Sequence, residues 1–296
     1  MMNKHYSIFI LIAISCMIIN HSCKSCDRQP TIENIVIDID LSELGADSLY
    51  LVMGQQVLYA LPTPIEASML VKNWGVPNPS LLNDPTNAPN YLTKKKQALN
   101  FGVYITDMTT AGLYEQTQTV LLYKEALMRI ADDLGLKAAV DADVLQKIED
   151  NINNKNELLS IISELYASCT TFLNEDDRDF YTLAVLTGGW VEGMYIATSM
   201  IDENKSENEA KMKQLIIENK LTFDLLWQAL SELDIIPEEA VYLMLDMSYL
   251  AHLFGHKTLL QIPQSYGADD IANVTPAYFA DVKNHVQQLR HQFTKK

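Results

Sequence analysis

The chain has 296 residues, 48% of them hydrophobic and 20% charged, which is ordinary for a globular protein and enough to bury a sizeable core. Its 11 Gly and 10 Pro exclude collagenous or low-complexity structure. A formal charge of −16 repels phosphate backbones and anionic headgroups, so no nucleic acid is expected as a partner.

The N-terminus reads as a targeting segment. Lys4 supplies a basic start. The apolar run from Ile8 to Ile19 is too short for a stable span and has the length of a signal-peptide core. A cysteine just after such a run resembles the lipobox of bacterial lipoproteins, whose thiol is acylated after cleavage. Cys23 is the expected lipid site because it leaves a full apolar core before it. Cys16 is the alternative; Ala13-Ile-Ser-Cys16 has the better small-residue pattern but a very short core. Residues 1–22 are then a signal peptide, 23–46 a tether and 47–296 a helical domain. Cys23-Lys-Ser-Cys26 also has the C-x-x-C spacing of redox and zinc pairs, but no second pair accompanies it. Cys169 is expected to be a free buried thiol, with pairing to Cys26 as the alternative.

Residues 35–41 partly alternate and fit one short strand without a partner. From Asp47 onward the pattern is helical, with Leu49, Val52, Met53 and Val57 on one face. Thr63-Pro-Ile-Glu66 is a capping box that starts a second helix, running to about Gly75. A loop with four prolines follows over residues 76–90, and it is expected to lack regular structure. Connections this long are often functional, so Asn83, Asn87, Tyr91 and Lys94 are taken as a candidate ligand loop. Helices are then expected at about 93–113, 116–134, 141–152, 155–173, 177–202, 207–219, 222–233, 237–254 and 275–294. Asp141, Thr222 and Thr275-Pro276 read as starts, Gly135 and Gly255 as stops. The expected fold is all-α, a single-domain bundle of about nine to ten helices.

Residues 181–201 are apolar on all sides except for Glu192 and a few small polar residues. Such a helix belongs to the centre of a large core or to a membrane. A carboxylate at mid-bilayer costs several kcal/mol, which favours the core. Gly189, Gly193 and Ala197 form one small-residue stripe; Gly102, Thr106 and Thr110 form another. The two helices are expected to cross there, bringing Asp107 near Glu192. Two carboxylates out of water cannot both stay ionised without a counter-charge, a proton or a metal. They form the candidate polar site. Tyr104, Tyr114, Tyr195 and Arg129 are the partners in view.

Other motifs carry less. His252 and His256 have metal-ligand spacing, but no Glu follows His252, so H-E-x-x-H is absent and no metal site is assigned. His285 and His291 read as solvated. Lys94, Lys95 and Lys96 open a helix against its dipole. They are expected to pair with acidic side chains or, alternatively, to hold an anionic ligand. Phosphate-binding glycine loops and nucleophile elbows are absent, so no catalytic residue and no cofactor is assigned.

Three stretches carry a resemblance: Tyr59-Ala-Leu-Pro-Thr-Pro-Ile-Glu66, Leu99-Asn-Phe-Gly-Val-Tyr-Ile-Thr-Asp107 and Gly188-Gly-Trp-Val-Glu-Gly-Met-Tyr195. Over roughly residues 55–200 the chain resembles an uncharacterised group of all-helical predicted lipoproteins of Bacteroidetes bacteria. The resemblance implies cell-envelope location, lipid anchoring and an all-helical body. The expected function is therefore a lipid-anchored binding or scaffold module at the outer membrane, periplasmic or surface-exposed. Its partners would be the membrane, through the lipid, and an unknown protein or small molecule. The alternative is a hydrolase-type enzyme using Asp107 and Glu192 as an acid–base pair.

Overall fold

In the computed structural model, which describes residues 74–140, 142–175, 178–233, 236–256, 258 and 274–296, every regular element is a helix. The all-α class read from the sequence is thus observed among the described residues. All of these belong to one compact unit, Gly45–Lys296. The signal segment, tether, short strand and first two expected helices lie outside the described residues, as does Asp141.

Two short 3-10 turns come first, at Pro79–Leu81 and Pro85–Asn90. They correct the expectation of an irregular loop. Each opens on an acceptor side chain followed by proline. Asn78 accepts from the Ser80 N–H at 3.0 Å, and Asp84 accepts from the Thr86 N–H at 2.9 Å. Proline fixes the φ that the first helical residue needs, so the same prolines that forbid a long helix start a short one.

Eight α-helices follow among the described residues: α1 Lys94–Leu113, α2 Thr117–Leu134, α3 Ala142–Asp150, α4 Lys155–Glu175, α5 Asp179–Ser199, α6 Glu209–Ser231, α7 Glu238–Leu253 and α8 Pro276–Thr294. Their ends obey local chemistry. Thr93 caps α1 by accepting from the Lys96 N–H, and Thr275 caps α8 from the Tyr278 N–H, each at 3.2 Å. Gly135, at φ 76°, ends α2 in the left-handed region, and Gly255, at φ 88°, follows α7. The start expected at Thr222 is not there. Helix α6 runs unbroken for 23 residues with Thr222 buried in its interior. No glycine or proline interrupts it, and Leu215, Asn219, Thr222 and Leu226 continue one buried face.

Helices α1 and α5 form the central pair. Every residue of α1 from Gln97 to Leu113 is buried. The expected crossing at small residues is observed, in a different register. A Cβ on Gly102 would stand 1.9 Å from the Val185 carbonyl oxygen, and one on Gly188 would stand 2.0 Å from that of Leu99. The backbones therefore touch at Gly102 and at the adjacent Gly188 and Gly189, while Gly193 is partly exposed. Buried hydroxyls are satisfied within the helices. Thr106, Thr109, Thr110, Thr187 and Thr198 each donate to the carbonyl four residues back, at 2.7–3.1 Å. Helix α2 covers α1, while α4, α6 and α8 pack on α5. Trp190 of α5 meets Phe223 of α6 at a ring-centroid distance of 5.2 Å. No helix among the described residues is long and apolar enough to cross a membrane.

Candidate functional site

Because α1 and α5 touch at glycines, side chains just beyond the crossing are forced together. Asp107 and Glu192 are both 0% exposed, and each lies near enough to act on the other's proton affinity. The structure thus joins the two carboxylates singled out from the sequence. The counter-charge is Arg290 of α8. Its Nε donates to Glu192 Oε2 at 3.1 Å and its Nη2 to Oε1 at 3.3 Å, a fork on the carboxylate. The Arg290 guanidinium also lies over the Tyr195 ring, 4.6 Å from its centroid. Its side chain is 17% exposed, so the whole cluster is nearly dry.

The proline-rich segment closes the cluster from above. The Asn83 N–H donates to Asp107 Oδ2 at 3.0 Å, and Arg290 Nη2 donates to the Leu81 carbonyl at 3.0 Å. Tyr123 Oη donates to the Asn83 carbonyl and Tyr104 Oη to the Asp84 carbonyl, both at 2.9 Å. The Asn83 side chain donates to Tyr91 Oη at 2.9 Å, and Asn87 donates to Asn83 Oδ1 at 3.3 Å. Of the candidate ligand loop, Asn83 and Tyr91 are therefore buried structural members, Asn87 is partly buried and Lys94 is exposed. Tyr104 and Tyr195 belong to the cluster's surroundings, as expected. Tyr114 bonds instead to the Gly75 carbonyl, and Arg129 is exposed on α2.

Electrostatics follow from dryness. Burial, and then the Glu192 charge, drive the Asp107 carboxyl well above the ordinary carboxylate range, against the opposing pull of Arg290 and the Asn83 N–H. Burial raises Glu192 too, with Arg290 opposing. Burial works against the Arg290 charge, yet Glu192 and Asp107 together raise its pKa above the usual value. One proton held by the two carboxyls would leave the cluster neutral beside the Arg290 cation. Asp107 Oδ1 accepts no hydrogen bond among the described residues, whereas Oδ2 takes the Asn83 N–H, so Oδ1 is the oxygen free to carry a proton.

Sequence reasoning missed Arg290. A signal existed: Arg290 lies four residues after Val286 and beside Leu289, on the edge of the buried face of α8. The lysine triplet also does something unexpected. Lys94 Nζ donates to the Asp133 carbonyl, at the end of α2. Lys96 Nζ donates to the Gln292 carbonyl and to those of Phe293 at 3.3 Å and Lys295 at 3.0 Å, at the end of α8. The negative ends of two helices meet the start of α1 here, so the cations answer those dipoles more than they oppose their own. Lys95 lies over the Tyr242 ring.

The histidines do not converge. His256 lies beyond the end of α7 and pairs with Asp224 of α6 at 2.7 Å. His285 is stacked on Tyr249 at 3.7 Å, not solvated. Among the described residues no three His, Cys, Asp or Glu side chains are grouped to hold a metal ion. Cys169 is a free thiol, fully buried and pushed up to about 12 by burial.

Comparison with protein-family models, with curated proteins and with solved structures gives no match.

Proposed function

We propose that this chain is a lipid-anchored protein of the cell envelope, held at the outer membrane through Cys23, whose helical body is a binding or scaffold module for a protein or small molecule. The observation that carries the anchor is the apolar run from Ile8 to Ile19 with Cys23 close behind it. Cys16 is the alternative attachment point. The resemblance to helical envelope lipoproteins supports the same reading. Two of its three motifs are the segments of α1 and α5 that contain Gly102, Gly188, Asp107 and Glu192.

A binding or scaffold role is favoured over catalysis by the state of the carboxylates. Catalytic acids and bases must reach substrate within hydrogen-bond distance. Asp107 and Glu192 are sealed, and their partners are Arg290, a loop amide and each other. The hydrolase reading keeps one supporting observation, two adjacent carboxyls with unequal surroundings, the pattern of an acid–base pair. It requires the covering segment to open.

Cells fed a labelled fatty acid test the anchor. Label is expected on the wild type and on Cys16→Ser, and absent from Cys23→Ser. Loss in Cys16→Ser alone moves the anchor to Cys16, and an unlabelled wild type removes it. Crosslinking in intact cells tests the module: a reproducible partner or co-purifying ligand supports it, and an isolated inert monomer counts against it.

A further inference from the structure

We infer that residues 78–91 form a strap whose hold on α1, α2 and α8 depends on one buried proton shared by Asp107 and Glu192. The strap is gripped by its peptide groups. Asp107 takes the Asn83 N–H, Arg290 the Leu81 carbonyl, Tyr123 the Asn83 carbonyl and Tyr104 the Asp84 carbonyl. Two of these four grips come from the charged cluster itself, so the charge state of the cluster and the seating of the strap are one event.

The charge count makes the proton necessary. Two ionised carboxylates and one guanidinium leave a net negative charge in a dry site, where like charges in contact are strongly unfavourable. With the proton on Asp107 Oδ1, the oxygen without a partner among the described residues, the cluster is neutral and Glu192 keeps its fork from Arg290. Among the described residues, Arg290 is the cation that acts on the pair. The groups around Asp107 and Glu192 are Arg290 on α8, Tyr104 on α1, Tyr123 on α2, Tyr195 on α5, and Tyr91 and Asp84 of the strap. Burial raises Tyr91, Tyr104 and Tyr123 above their usual values, so these phenols stay neutral hydrogen-bonding groups.

When the proton leaves, relief requires water. The helices around the cluster are packed backbone to backbone at Gly102 and Gly188, whereas the strap is built of two short 3-10 turns. It is the element that gives way. With the strap open, Asp107 is hydrated and returns to the ordinary range; with it closed, Asp107 binds a proton more tightly. Closure is therefore favoured at low pH and weakens as pH rises from the ordinary carboxylate range to the raised value. Above that value it weakens no further.

Amide exchange of Asn83 in the full chain reads this directly. Leu92, an exposed residue just beyond the strap, serves as the reference for the intrinsic base-catalysed rise. Across the stated window, exchange at Asn83 is expected to accelerate in excess of that reference by about tenfold per pH unit, the slope of one linked proton. In Asp107→Asn the side-chain carbonyl still accepts from Asn83 and the amide still faces Glu192, with no proton to lose, so the excess disappears. Parallel slopes at Asn83 and Leu92 in the wild type, or an undiminished excess in Asp107→Asn, overturn the inference. If that variant does not fold, the infrared spectrum of the wild type decides. A protonated carboxyl band that persists at neutral pH and fades as Asn83 loses protection is expected. Its absence at neutral pH rules the shared proton out.

Discussion

Arg290 and Glu192 lie 98 residues apart in the chain and meet as a fork, Nε to Oε2 at 3.1 Å and Nη2 to Oε1 at 3.3 Å. The pair joins the last helix to the central one. It also explains how a carboxylate survives in the middle of α5, a helix otherwise apolar on every side.

Removing the Glu192 charge tests that explanation. Glutamine keeps the shape but takes away the carboxylate that the Arg290 guanidinium forks. Breaking a buried pair from one side costs about 3–5 kcal/mol. Glu192→Gln is expected to lower the melting temperature by roughly ten degrees, at 2–4 degrees per kcal/mol for a domain of this size. A level or higher melting temperature would mean that the native charge is held at a cost to stability, and would turn attention back to a ligand.

Asp107 predicts the pH profile of global stability. Its pKa is raised in the folded state, so the folded chain binds more protons than the unfolded chain between the ordinary carboxylate value and the raised one. Stability from this group is fully present below the unfolded value and is lost as pH rises through the folded value, at up to about 1.4 kcal/mol per pH unit. Denaturant unfolding at a series of pH values is expected to show this fall, and Asp107→Asn is expected to flatten it. A profile that rises across that window in the wild type, with no change in the variant, would contradict it.

The helix crossing predicts two unequal alanine substitutions. In Gly188→Ala the new methyl meets the Leu99 carbonyl oxygen at 2.0 Å, a backbone atom that cannot turn aside. The helices must separate, and the loss is expected at or above the upper end of the roughly 1–3 kcal/mol typical of overpacking. In Gly189→Ala the nearest atom is Thr106 Oγ1 at 3.3 Å, a side-chain group that need shift by only a few tenths of an ångström. Its loss is offset by the higher helix propensity of alanine, worth about 0.5–1 kcal/mol. Equal melting temperatures for the two variants would place the crossing elsewhere.

Lys96 caps the end of α8 through three carbonyls. Lys96→Met keeps the stem and removes the cation. It is expected to cost about 1–2 kcal/mol, near the upper range for a partly buried charge at a helix C-terminus. Amide exchange in the last turn of α8 should rise with it. Unchanged exchange there would show that α8 ends without help from α1.

Cys169 should be inert in the folded protein, since its thiol is buried and pushed up to about 12. Alkylation followed by peptide mapping is expected to label Cys169 only under unfolding conditions. Labelling at native pH and temperature would mean that α4 opens locally.

What could be read from the chain alone was local. Thr275-Pro276 and Gly135 mark helix ends because a cap involves only residues within one turn of it. The all-α class and the two carboxylates were legible for similar reasons: periodicity is continuous along the chain, and a charge in an apolar helix stands out. Thr222 shows the limit of a cap signal, since a threonine inside a run with no helix breaker has nothing to start.

Three things required tertiary structure. Arg290 reaches Glu192 only because α8 packs back across α5, a contact that no pattern within either helix specifies. The lysines at the start of α1 find the carbonyl ends of α2 and α8 only because those ends arrive there. The crossing register was settled by Gly188 and Gly189 side by side, where two backbones come close enough to touch, and not by the longer stripe through Gly193. Local rules fix what each segment is. Which segments face one another depends on burial and charge summed over the whole core, and that sum exists only once the chain has folded.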